Sequence, residues 1–219
     1  MRLVGERVVL RLARPEDADA LAQGFIDDPA MGAMLGVESD QENPEWLRTT
    51  FPADGETGEG RTAYWFAITH PQSGDVIGEI GLVGISWPNR RAGLSILVLP
   101  GFRRAGVGRE AIELLVGWAQ GELGLHRIEL HTLLENAAMQ GLAEASGFTR
   151  EGVLRDYSFE RGRLVDNVVY ARLPARPRVD AARVAPSDYS YSWRSRRPVR
   201  FQRPRRAGEG RGRAAPPLR

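Results

Sequence analysis

The chain has 219 residues, 42% of them hydrophobic, enough to bury a full core in one domain with or without an appendage. It contains no cysteine, which excludes disulfides, thiolate zinc sites and an acyl-cysteine intermediate, and makes a reducing cytoplasm the expected compartment. The net charge of +2 divides unevenly: residues 1–173 carry 17 arginines against 25 acids, near −8, and residues 174–219 carry 13 arginines against 3 acids, near +10.

In chain order, RVVLRLA (7–13) reads as a first strand, and Pro15 opens a helix PEDADALAQGFIDD whose early acids suit the positive end of the helix dipole. Pro44 begins a second helix through PEWLRTTF, and residues 52–62 are a glycine-rich, acidic surface loop. Three strands joined by hairpins follow at 63–69, 76–85 and 91–99, an antiparallel meander. Next come a helix from about Ala105 to Gly121, a strand at 127–133, a helix at 137–146, and a hairpin over 153–173 turning at Arg161 and Gly162. Strands flanked by helices on both sides of a mixed sheet define an α/β or α+β domain over residues 1–173. Residues 174–219, rich in Pro, Gly and Arg, hold too few aliphatic residues for a core and read as a disordered or draped tail. No run approaches the roughly 20 apolar residues of a membrane helix, and the N-terminus lacks the apolar core of a signal peptide.

The chemistry concentrates in GFRRAGVGREA, residues 101–111. Gly106 and Gly108 clear side chains from a loop that leads into a helix whose first N–H groups are unpaired. With the helix dipole and Arg103, Arg104 and Arg109 nearby, the loop is suited to hold phosphate. It lacks the lysine of a Walker loop and the spacing of the three-glycine dinucleotide fingerprint. Ala111, Leu114, Leu115, Trp118 and Ala119 recur at helical spacing, so one face of that helix packs on the sheet.

The run Arg103-Arg104-Ala105-Gly106-Val107-Gly108 resembles the central motif of the GNAT superfamily of acyl-CoA N-acetyltransferases. The surrounding sequence, with GLHRIEL leading to Asn136, SGF at 146–148 and the EGVLRDYSFERGRLVDNVVY ending, is similar to the branch containing the ribosomal-protein N-terminal acetyltransferases RimJ and RimL. The resemblance spans about residues 5–173 and leaves out the tail. It implies a mixed, mostly antiparallel twisted sheet with splayed central strands that admit acetyl-CoA between them. Main-chain groups of Leu97, Val98 and Leu99 would pair with the pantetheine arm, and Arg103, Arg104, Ala105, Gly106, Val107, Gly108 and Arg109 would hold the pyrophosphate. Asn136, expected as both a cofactor contact and a catalytic residue, would meet the pantetheine at the splayed end, with Met139 beside it.

The chain departs from the resembled pattern at two places. Where that branch commonly has a serine three residues after the asparagine, it has Met139; where other branches have a tyrosine four before the glycine of GF, it has Ala143. A proton for the leaving thiolate would then come from Ser95, Tyr157 or a bound water, help worth about 10²–10⁴-fold. For the base that deprotonates the acceptor amine, His131 is the first choice, since its pKa needs little tuning near neutrality. Glu79 is second and Glu129, on the same strand face as His131, third.

The function these residues imply is transfer of an acetyl group from acetyl-CoA to a primary amine, a protein N-terminus or a small cationic amine, by direct attack in a ternary complex. No metal is expected. The alternative is an acyl-CoA-binding or RNA-associated protein without turnover, which the changes at Met139 and Ala143 keep open. The arginines of the tail, interleaved with Tyr189, Tyr191, Trp193 and Phe201, would suit a contact with a nucleic acid or the ribosome. A membrane partner is not expected, and the protein would be a monomer or a homodimer.

Overall fold

The computed structural model describes residues 1–27, 62–160 and 162–174. The expected helix at 44–51, nearly all of the acidic loop and all but the first residue of the tail lie outside these residues. Eight strands form one sheet: β1 (Arg2–Val4), β2 (Val9–Leu12), β3 (Tyr64–Thr69), β4 (Val76–Ser86), β5 (Arg91–Val98), β6 (Arg127–Leu133), β7 (Thr149–Glu160) and β8 (Arg163–Arg172). Their order across the sheet is β1-β2-β3-β4-β5-β6-β8-β7. Every neighbouring pair is antiparallel except β5 and β6, which run parallel. The helices are α1 (Ala18–Asp27), α2 (Val107–Gly121) and α3 (Ala137–Ala145).

The meander β3-β4-β5 and the closing hairpin β7-β8 stand where alternation places them. The three residues of β1 escape a periodicity argument because they are too few to show a period; they are legible only through their pairing with β2. β7 starts four residues earlier than the sequence suggests, at Thr149.

The strand period of two sorts the side chains onto two faces. On one face Tyr64, Phe66, Ile68, Ile80, Leu82, Leu94, Ile128, Leu130, Val168 and Tyr170 meet α2 in the main core. Helix α2 buries Val107, Ala111, Ile112, Leu115, Val116 and Ala119 there; of the stripe its spacing predicts, Ala111, Leu115 and Ala119 are buried and Leu114 and Trp118 are partly so, and Trp118 packs edge-on to Tyr64 at 5.2 Å and Phe66 at 5.4 Å. Truncating a fully buried residue of this stripe, such as Leu115, costs about 2–5 kcal/mol.

The opposite face is partly covered by α1. Ala18, Leu21 and Ala22 cluster with Leu97, Trp65 and Val76. The helix is anchored by Asp17, buried at the turn before it, which accepts from both terminal nitrogens of Arg11 (2.8 and 2.6 Å) and from the Arg14 amide at 2.8 Å. A buried carboxylate without such partners would be strongly destabilising, so this pair fixes where α1 starts.

Candidate active site at the strand fork

Parallel pairing between β5 and β6 lasts only three residues, Arg91–Gly93 against Arg127–Glu129. Beyond it β5 runs on to Val98 beside β4, and β6 runs on to Leu133 beside β8, so the two strands part and a fork opens in the sheet. The Leu99 amide donates to the Ile77 carbonyl at 2.9 Å. Alternation along an antiparallel ladder then directs the main-chain groups of Leu97 and Ser95 toward β4 as well, and those of Leu94, Ile96 and Val98 into the fork. Of the three residues expected to pair with a pantetheine arm, Val98 alone presents its amide there, and Ile96, which the sequence reading left out, joins it. The carbonyl of Val98 accepts from Arg103 Nε at 2.8 Å, which ties the first arginine of the glycine loop to the fork's edge.

That loop is a turn at Pro100–Phe102 followed by a left-handed Arg104 (φ +61°) and a left-handed Gly106 (φ +81°). Gly106 is the N-cap of α2, so the helix begins at Val107 rather than Ala105. Among the described residues no side chain caps it, and Glu110 in its first turn reaches away to accept from the amides of Glu6 (2.7 Å) and Arg7 (2.8 Å). The leading amides of α2, at Val107, Gly108 and Arg109, have no partner among the described residues and lie beside Arg103 and the exposed Arg104, an arrangement suited to an anion. Arg109 forms an exposed ion pair with Glu113 at 2.9 Å. Gly108 has a different reason from the one its motif suggests: a Cβ there would lie 3.1 Å from Leu142 and 3.6 Å from Val98, so it makes room for α3.

Asn136 lies just past the end of β6 and caps α3, its Oδ1 accepting from the Met139 amide at 3.0 Å. Met139 packs its side chain against the core and Ala143 is fully buried in it, so both positions that would supply a proton in relatives are spent on packing.

Three candidate bases share the face carrying α1, and their surroundings differ. Glu79 in β4 stands opposite Leu97, and its Oε2 is sealed from solvent with no hydrogen-bond partner among the described residues. Desolvation pushes its carboxyl up to about 7. Two residues along β4, Gly81 leaves room for the Trp65 ring, which a Cβ would meet at 2.5 Å. His131 in β6 stands across the fork, its side chain 31% exposed, with Nε2 3.9 Å from Glu129 and its ring 5.4 Å from that of Tyr157. Glu129 is already engaged: it accepts from Arg127 Nε at 2.6 Å and lies 3.5 Å from Arg91. Arg127 also holds Glu151 of β7 through both its terminal nitrogens, which lowers the Glu151 pKa. This row of charges spans β5, β6 and β7 at the crotch of the fork, and local pattern does not reveal it because its members are up to 60 residues apart. A groove of about 470 Å³ between β1 and α2 contains none of these residues.

The sequence profile of the acetyltransferase (GNAT) domain matches residues 7–149, and the chain belongs to that family. The uncharacterized N-acetyltransferase YoaA of Bacillus subtilis is 30% identical over 173 residues, which cover 78% of this chain and 96% of that protein. The ribosomal-protein-S5-alanine acetyltransferase of Vibrio fischeri shares the fold with a TM-score of 0.69 at 19% identity, covering 79% of this chain and 96% of that one. The spermidine N-acetyltransferase of Vibrio cholerae, solved with CoA and spermine, does so with a TM-score of 0.65 at 23% identity, covering 77% and 96%. The protein is an N-acetyltransferase that moves an acetyl group to an amine. Among the described residues no cluster suits a metal ion, and no helix is long and apolar enough to cross a membrane.

Proposed function

We propose that acetyl-CoA lies in the fork, that the acceptor amine approaches over the α1-covered face, and that Glu79 takes the proton the amine must lose. The observation that carries this reading is the partly buried Glu79 carboxyl, whose Oε2 is sealed from solvent and unpartnered among the described residues, with its pKa raised to about 7. A group poised there is half ionised near neutrality and matched to proton transfer. The uncapped start of α2 with Arg103 and Arg104 supports a pyrophosphate site, and the Ile96 and Val98 amides support a pantetheine site along β5. When bound, acetyl-CoA supplies a thioester whose carbonyl carbon accepts the amine.

Glu79 accepts a proton from the acceptor's ammonium, and the freed nitrogen pair forms the C–N bond to the acetyl carbon. The C–S bond breaks, its electron pair leaves on sulfur, and the nitrogen's second proton, released as the amide forms, passes through water to the thiolate, since Met139 and Ala143 carry no proton to give. Asn136 keeps its amide nitrogen for the cofactor while its oxygen holds α3. The acceptor is a primary amine, on a protein N-terminus or on a small cation, and the acidic body favours a cationic one. The test is thiol release from acetyl-CoA with alanine-terminated peptides and spermidine, for the native enzyme and Glu79→Gln across pH. A rate in Glu79→Gln equal to the native one would remove Glu79 from the chemistry and return His131 to first place.

The charge contrast supports a second proposal: an acetyltransferase domain over 1–173 and a basic appendage over 174–219 that contacts RNA in the cytoplasm. Salt-dependent RNA binding lost on truncation at residue 173 tests it.

A further inference from the structure

Tyr157 is a large aromatic side chain left 55% exposed on an edge strand, and the strand is distorted where it sits. The β7-β8 register passes from Leu154↔Asn167 directly to Ser158↔Val165, so residues 155–157 of β7 stand against Asp166 alone. Asp156, within the bulge, is left-handed at φ +52°, and its amide donates to Asp166 Oδ1 at 2.9 Å. Asp166 also accepts the Leu134 amide on its main-chain oxygen at 2.9 Å, so the residue that holds the bulge also holds the end of β6.

Regular alternation, counted forward from Leu154 or back from Ser158, would put Tyr157 on the face packed by α2 and α3. Its ring instead lies 5.4 Å from that of His131 at an interplanar angle of 62°. β6 and β7 are not neighbours, since β8 runs between them, so the tyrosine reaches across a strand to the face of Glu79. Bulges re-aim side chains beside active sites, and a non-glycine residue kept at positive φ is strain that persists where surrounding bonds enforce it.

We propose that Tyr157, turned over by this bulge onto His131, is a specificity residue for the acceptor: the two rings form an aromatic wall that holds the cationic head and aliphatic stem of an incoming amine while it is delivered across the fork to Glu79. A tyrosine face attracts an ammonium through its ring quadrupole, and an edge-to-face partner fixes the ring's tilt. Asp166 acts as a positioning residue, through the bulge and not through the substrate. The inference deepens the reading of the site above and rests on it for where the amine is delivered.

The experiment is steady-state kinetics with spermidine and an alanine-terminated tripeptide amide, each variant first checked for a native melting curve. Tyr157→Ala should raise the acceptor KM by roughly 5- to 30-fold, with kcat and the acetyl-CoA KM changed less than about twofold. Tyr157→Phe should restore the acceptor KM, because the ring face is what binds. Asp166→Ala should reproduce the Tyr157→Ala pattern, and Asp166→Asn, which keeps Oδ1, should reverse it. The proposal is overturned if Tyr157→Phe lowers kcat as much as Tyr157→Ala, which would make the phenol a proton donor. It is equally overturned if Tyr157→Ala leaves the KM of both amines unchanged or if neither amine binds. The Glu79 reading is judged separately, in kcat and its pH dependence at saturating acceptor, so one can fail while the other stands.

Discussion

Glu79 and His131 occupy one face of one sheet on opposite sides of the fork, and their surroundings set them apart. The β4 side lies under α1 and Trp65 and leaves the partly buried Glu79 carboxyl with an oxygen that nothing in the described residues satisfies. The β6-β8 side is open: His131 is partly exposed, Tyr157 more so, and the nearby charges of Arg91, Glu129, Arg127 and Glu151 are paired among themselves. Burial raises the pKa of a carboxyl toward the range useful for moving a proton, and exposure is needed where a substrate must land. On the proposed reading, one region changes protonation state and the other meets the acceptor.

The sharpest way to break that comparison is to remove proton transfer from the β4 side. Glu79→Gln should lower kcat by about 10²–10⁴-fold, while His131→Ala should act mainly on the acceptor KM; the reverse pattern in stopped assays of thiol release would exchange their roles. In the native enzyme kcat/KM should rise through pH 7 and level off above it, and this limb should vanish in Glu79→Gln.

The same burial has a cost in stability. Below pH 4.5 the folded and unfolded chains both hold the Glu79 proton; between pH 4.5 and about 7 the unfolded chain releases it first, so folding weakens as pH rises. Relative to Glu79→Gln, the native protein should lose about 3 kcal/mol between pH 4 and 8, measured by urea unfolding. An equal slope in both proteins would mean that the carboxyl is not desolvated in solution.

Gly106→Glu tests the other end of the fork. It places a carboxylate at the uncapped start of α2 and a side chain on a left-handed residue, and should weaken acetyl-CoA binding by roughly 10- to 100-fold in calorimetry. The smallest expected effect is that of Asn136→Ala, which removes the cap of α3 and should cost about 1 kcal/mol in thermal unfolding.

Much of this was readable from local pattern. The meander, the amphipathic α2 and the glycine loop each depend on residues close in sequence, where period and turn chemistry act. Gly108 shows the limit: the motif marks it, but the contact that explains it comes from Leu142, 34 positions away. Tyr157 shows it again, since alternation alone puts it on the wrong face and only the bulge against Asp166 turns it round.

By itself, then, the sequence determined the order of the described elements after β1, the glycine loop that leads into α2, and the absence of side chains at positions 139 and 143 able to protonate a thiolate. Tertiary structure decided which β5 amides face the fork, which of three acids and bases is desolvated, and which aromatic ring stands across from it. Those are questions of register and burial, fixed by pairing between distant strands, and a one-residue shift in register would change every answer.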